Sequence, residues 1–118
     1  MTKNYTLYHN PKCTKSRGTL ALLAERGIEH KTVHYLEDQL TRTELEGLFK
    51  ALGKLPSEVI RKKENVYKDL DLENASEDEL IDAIIAQPIL LERPILVLNG
   101  EKAAIGRPPE DVLALLEN

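Results

Sequence analysis

Cys13 is the only cysteine in the chain, and the residues around it are of the kinds that make a thiol reactive. Pro11, Lys12, Thr14, Lys15, Ser16 and Arg17 are turn-forming or polar, and Lys12, Lys15 and Arg17 add positive charge. A short aromatic-rich run ends just before Cys13 and a helical pattern starts just after it. Backbone N–H groups and the positive end of the helix dipole would therefore favour the thiolate, the nucleophilic form. The competing reading is a buried, inert cysteine, which is the common fate of a lone thiol. The polar, basic neighbourhood favours the reactive one. Cys13-Thr14-Lys15-Ser16 has the spacing of a redox Cys-X-X-Cys but lacks the second thiol. No intramolecular disulfide can form, so an oxidised or substituted Cys13 must be resolved by a thiol supplied in trans, for instance glutathione or a glutaredoxin.

Other candidates surround it. Ser16 and Thr14 could donate hydroxyl hydrogen bonds to the thiolate, or simply cap the helix. His9 lies just before the turn, where it either tunes Cys13 as a neighbouring cation or donor or is a strand-end histidine without a catalytic part. His9 and Cys13 offer at most two metal ligands, and His30 and His34 complete no compact four-ligand set, so no metal centre is expected. Arg61, Arg93 and Arg107 stand at element junctions. Taken singly each is an ordinary surface charge, but Arg93-Pro94 precedes a buried strand as the cis-proline loop does opposite the active cysteine of thioredoxin-like proteins.

These residues need a scaffold, and the chain is long enough for one. Its 118 residues, 42% hydrophobic and 31% charged, suit a single domain over 1–118. A formal net charge of −4 gives no field for nucleic acid, the absence of Trp removes broad stacking platforms, and no apolar run approaches a membrane span. A free cysteine and no apolar leader point to the cytoplasm.

Strands are expected near 5–9, 31–36, 95–98 and 102–105, the last two joined at Asn99-Gly100, a strong hairpin signal. The first helix runs from Thr14 to Arg26, with Leu20, Leu23 and Ala24 at helical spacing, Thr14 as a possible cap and Gly27 as the stop. Thr41-Arg42-Thr43-Glu44 and Ser76-Glu77-Asp78-Glu79 are capping boxes. The first opens a stripe of Leu45, Leu48, Phe49 and Leu52, and the second one of Leu80, Ile81, Ile84 and Ile85 that stops near Gln87-Pro88. Leu55-Pro56-Ser57 starts a short turn reaching Arg61. A last helix begins with Pro109 in its first turn and turns Val112, Leu113 and Leu116 inward. The order is β-α-β-α-α-α-β-β-α, an α/β thioredoxin-like mixed four-stranded sheet with an inserted helical segment over about 41–87.

Tyr8-His9-Asn10-Pro11-Lys12-Cys13-Thr14-Lys15-Ser16-Arg17, with Pro88-Ile89-Leu90 and Arg93-Pro94-Ile95, resembles the glutaredoxin-coupled arsenate reductase family. His34-Tyr35-Leu36, Ile60-Arg61-Lys62 and Gly106-Arg107-Pro108 extend the resemblance over nearly the whole chain. It implies that Cys13 attacks arsenate and that Arg61, Arg93 and Arg107 bind the oxyanion. His9 and Ser16 would help lower the cysteine pKa. It further implies no bound cofactor, with glutathione as co-substrate and glutaredoxin as partner. Two other readings stay open. One is a regulatory module of the Spx type, which contacts RNA polymerase; Ser16 stands against it, because redox-sensing members carry Cys-X-X-Cys there. The other is a monothiol oxidoreductase acting on glutathione adducts, whose carboxylates the arginines would bind.

Overall fold

Ile95–Leu98 is an uninterrupted apolar strand, and the fold is organised around burying both of its faces. In the computed structural model, which describes residues 3–116, it is β3 of a four-stranded sheet. The others are β1 (Tyr5–Tyr8), β2 (His30–Val33) and β4 (Lys102–Ile105). The order is β2-β1-β3-β4, with β2 parallel to β1 and the other two pairs antiparallel. Asn99 and Gly100 turn the β3-β4 hairpin with φ of 54° and 70°, the left-handed conformation that a two-residue hairpin loop demands.

Side chains alternate along β3 and divide the interior in two. Ile95 and Val97 join a core built with the helices between β2 and β3: α2 (Arg42–Leu52), α3 (Pro56–Val59), α4 (Asn65–Asp69) and α5 (Glu77–Ala86). Leu96 joins Tyr5, Leu7, Leu23 and Val112 on the opposite face, beneath α1 (Thr14–Glu25) and the C-terminal turn. Both capping boxes form: the Thr41 hydroxyl accepts from the Glu44 N–H and the Ser76 hydroxyl from that of Glu79, each at 3.1 Å. Such caps typically stabilise a helix by about 1 kcal/mol. The stripe of Leu45, Leu48 and Phe49 is buried as its spacing requires.

The structure departs from the sequence expectation in five places. β2 stops at Val33 instead of continuing to residue 36, because β1 ends opposite it. The His9 N–H makes the last bond to Val33 O, at 2.9 Å, and Tyr35 turns into the helical core, fully buried. The cap of α1 is Cys13 itself, not Thr14, and makes no side-chain capping bond. The buried stripe of α1 is Ser16, Thr19 and Leu23, while Ala24 faces out. The segment after residue 64 forms α4 and a 3-10 turn over Leu72–Asn74; α4 buries no side chain, so it carries no apolar period to read. Finally, the C-terminal helix is divided into a 3-10 turn, Pro109–Val112, and α6 (Leu113–Leu116). Val112 is buried, and Leu115 and Leu116 pack beside it in place of Leu113.

Candidate active site

The site forms where β1 hands over to α1. Asn10 builds the turn: its side-chain Oδ1 accepts from the Lys12 N–H and its carbonyl from the Cys13 N–H, both at 3.0 Å. Cys13 O then accepts from the Arg17 N–H at 3.0 Å, the first bond of the helix. Asn10, His9 and Ser16 are all buried. The Ser16 hydroxyl accepts from the Asn10 N–H at 3.0 Å and shares a 2.7 Å hydrogen bond with His9 Nδ1. Ser16 thus fastens the strand end to the helix.

Burial pushes the half-buried Cys13 thiol up, but the opposing interactions outweigh it and the pKa lies below the ordinary thiol value. They are the backbone N–H of Ser16, the hydrogen bond and charge of the Arg93 guanidinium, and the backbone N–H of Lys15. Helix-opening N–H groups therefore act as the position of Cys13 leads one to expect. The basic neighbours in sequence are not the main source of charge. Arg17 turns back on the loop, donating to Pro11 O at 2.8 Å and to Thr14 Oγ1 at 3.4 Å. Ser16 contributes through its backbone, since its hydroxyl is taken by His9 and Asn10.

His9 does not supply a cation. Burial lowers its pKa, and the charges of His34, His30 and Arg17 lower it further, so the ring is neutral at pH 7. Its ring meets that of His34 edge-on, with centroids 5.7 Å apart. Its Nδ1 is engaged with Ser16. Among the described residues no group of three His, Cys, Asp or Glu side chains is placed to hold a metal ion.

The arginines come from stretches of chain distant in sequence. Arg107 brings Nη1 to 3.7 Å from Cys13 Sγ and anchors the same nitrogen on Arg93 O at 3.0 Å. Arg93 is buried; its Nη1 donates to Ile89 O at 3.1 Å and its Nε has no partner. The Arg93–Pro94 bond is cis, as expected for this loop, and so is Arg107–Pro108. Gly106 sits where α1 and the Pro94 loop converge. Its N–H donates to Pro94 O at 2.9 Å, and a Cβ there would collide with Thr19 Oγ1 and lie 2.8 Å from Pro94 Cγ.

Arg61 does not reach the thiol directly. Its Nε donates to Glu64 Oε2 at 3.0 Å and its Nη1 to Glu92 Oε1 at 2.9 Å. The same Glu92 oxygen lies 3.4 Å from Arg107 Nε, so Glu92 links Arg61 to the cysteine side of the site. An open cleft of about 440 Å³ lies here, lined by Arg61, Lys62, Lys63, Glu92 and Arg107 among others. Tyr35 lies beneath. Its hydroxyl is buried without a partner, and burial, only partly offset by Arg93, pushes its pKa up to about 12. Glu92, Tyr35 and Asn10 were not among the sequence candidates. Only Asn10 carried a local signal, the Asn-Pro turn.

A thiolate flanked by guanidiniums can attack an electrophilic centre that carries oxygens for those guanidiniums to hold. Relatives fit this arrangement. The chain is 48% identical over 113 residues to an arsenate reductase of Haemophilus influenzae, covering 93% of this chain and 97% of that one. It is 50% identical over 119 residues to the uncharacterized protein YfgD of Escherichia coli K12, covering 98% and 99% of the two chains. A solved structure described as an arsenate reductase from Vibrio cholerae superposes with a TM-score of 0.89 at 44% identity, covering 97% of this chain and 98% of that one. The thioredoxin-like fold is shared with these structures. The ArsC family model matches residues 8–115, which include every side chain of the cysteine and arginine cluster, and the chain belongs to the ArsC family.

Proposed function

We propose that this protein is a cytoplasmic arsenate reductase that uses Cys13 as nucleophile and draws its electrons from glutathione and glutaredoxin. The observation that carries this reading is the Cys13 thiol at the opening of α1, its pKa lowered, with Arg107 Nη1 3.7 Å away and Arg93 beside it. Arsenate names in the relatives supply the oxyanion.

The thiolate sulfur attacks arsenic; an S–As bond forms, an As–O bond breaks, and the leaving oxygen departs as water after protonation. Arg93 and Arg107 hold the remaining oxygens and offset their charge during attack. Arg61 holds the oxyanion at the outer edge. Glutathione then attacks the arsenic of the adduct: a second S–As bond forms, a second As–O bond breaks, and that oxygen leaves as water after protonation. A glutaredoxin thiol takes up the glutathione sulfur as a mixed disulfide, and the two electrons released reduce arsenic from pentavalent to trivalent. Hydrolysis of the remaining S–As bond frees arsenite and returns the Cys13 thiol. External thiols are required in this scheme because the chain holds one cysteine. Nothing in it requires a bound cofactor.

The test is arsenite production from arsenate by the purified protein with glutathione and glutaredoxin, with each thiol omitted in turn. Multiple turnovers only with external thiol are expected. Sustained reduction without any added thiol would overturn the mechanism. Failure to reduce arsenate, together with efficient reduction of a glutathionylated protein, would transfer the same thiol and arginines to a monothiol oxidoreductase.

A further inference from the structure

Glu92 stands immediately before Arg93 and faces the cleft lined by Arg61 and by Arg107, the arginine that reaches Cys13. Its Oε1 accepts from Arg61 Nη1 at 2.9 Å and lies 3.4 Å from Arg107 Nε. One carboxylate oxygen thereby accepts a hydrogen bond from one guanidinium and ion-pairs with a second. Each arginine also has a second anchor that does not involve Glu92: Arg61 Nε holds Glu64 Oε2, and Arg107 Nη1 holds Arg93 O. Glu92 is therefore not needed to keep either guanidinium in place. Its backbone is fixed independently, through its N–H to Val59 O at 2.9 Å.

The charges lead to the same point. Arg61 and Arg107 pair with the carboxylates of Glu64 and Glu92, and Arg107 and Arg93 stand beside Cys13, a third negative charge once ionised. These six charges cancel, so until a carboxylate yields its place the attraction on an incoming oxyanion comes from the outer Lys62 and Lys63 of the cleft lining. Glu64 binds only the outer arginine, whereas Glu92 touches both, including the one that reaches the sulfur.

We propose that Glu92 is a built-in competitor of the oxyanion: its carboxylate pairs with the guanidiniums of Arg61 and Arg107, which a bound oxyanion must win from it, and it thereby sets the affinity of the site. This rests on the reading that an oxyanion binds beside Cys13. A merely structural ion pair makes the opposite prediction, because breaking it loosens the arginines and weakens anion binding. Side chains of Glu92 and Arg107 are about a quarter to a third exposed, at 26% and 30%. Solvent screening therefore makes the competition moderate.

The experiment compares wild type with Glu92→Gln and Glu92→Ala in the full chain, following alkylation of Cys13 by neutral iodoacetamide at constant ionic strength. Inorganic sulfate is the unreactive probe. In both variants the sulfate concentration that halves the alkylation rate should fall by about three- to tenfold. The arsenate KM should fall with it, while kcat does not rise. A half-protecting concentration that is unchanged or higher in the variants overturns the proposal. Loss of folding in both variants, seen by thermal unfolding, also overturns it, since Glu92 would then be a structural prop. If neither sulfate nor arsenate protects Cys13 in wild type or variants, the oxyanion site itself fails, a result distinct from protection that Glu92 does not modulate.

Discussion

The two halves of the site are held in different ways. The cysteine half, His9 to Arg17, is one short segment closed by its own hydrogen bonds: Asn10 to Lys12 and Cys13, Ser16 to Asn10 and His9, and Arg17 to Pro11. The arginine half brings together Arg61, Glu92, Arg93 and Arg107 from three separate stretches of chain, through ion pairs and the carbonyls of Ile89 and Arg93. A local turn can be built once and kept rigid. A set of long side chains has alternative partners, and this makes it the half where affinity can be adjusted.

The difference can be broken from either side. Cys13→Ser removes the proposed nucleophile and should lower arsenate turnover by about a thousandfold or more. The half-exposed N-cap position should leave urea unfolding within about 0.5 kcal/mol of wild type. Full activity in this variant would show that the chemistry is elsewhere. On the other side, Arg93→Lys keeps the charge but loses the planar fork. It should raise the half-protecting sulfate concentration about tenfold or more and move the Cys13 titration upward, because a guanidinium hydrogen bond to the thiolate is lost. Wild-type protection would assign Arg93 to packing alone.

Gly106→Ala tests how the halves are joined. The new methyl would meet Thr19 of α1 and Pro94 of the arginine loop, and overpacking of this kind costs about 1–3 kcal/mol. Urea unfolding should show that loss, and sulfate protection should weaken with it because Arg107 is the next residue. Loss of stability without weaker protection would show the halves to be independent.

The smallest effect concerns His9. Its pKa in the folded protein is lowered by burial and by the nearby His34, His30 and Arg17 charges, from an ordinary 6.5. The unfolded chain therefore binds more protons in this range, and stability should decline as pH falls below about 6.5. Urea unfolding from about pH 7.5 to about pH 5.5 checks this, and His9→Asn should flatten the decline. An unchanged slope in that variant would place the titration on another group.

Much of this molecule was legible without coordinates because the signals are local. A continuous apolar run marks β3, Asn99-Gly100 marks the hairpin, and Thr41 and Ser76 with their glutamates mark the starts of α2 and α5. Cys13 at a strand-to-helix junction was likewise written in neighbouring residues. Tertiary structure decided the rest. It ended β2 at Val33, where β1 has no further residue to pair, and sent Tyr35 into the core. It made His9 neutral by burying it, and replaced the sequence-adjacent cations with Arg93 and Arg107 as the charges that face the thiol. It also set Glu92 between two arginines. The physical reason is reach: backbone hydrogen bonding and hydrophobic period act over a few residues, whereas Arg107 meets Cys13 across 94 positions of sequence. The partner of such a long charged side chain is chosen only when the sheet brings distant loops to one edge.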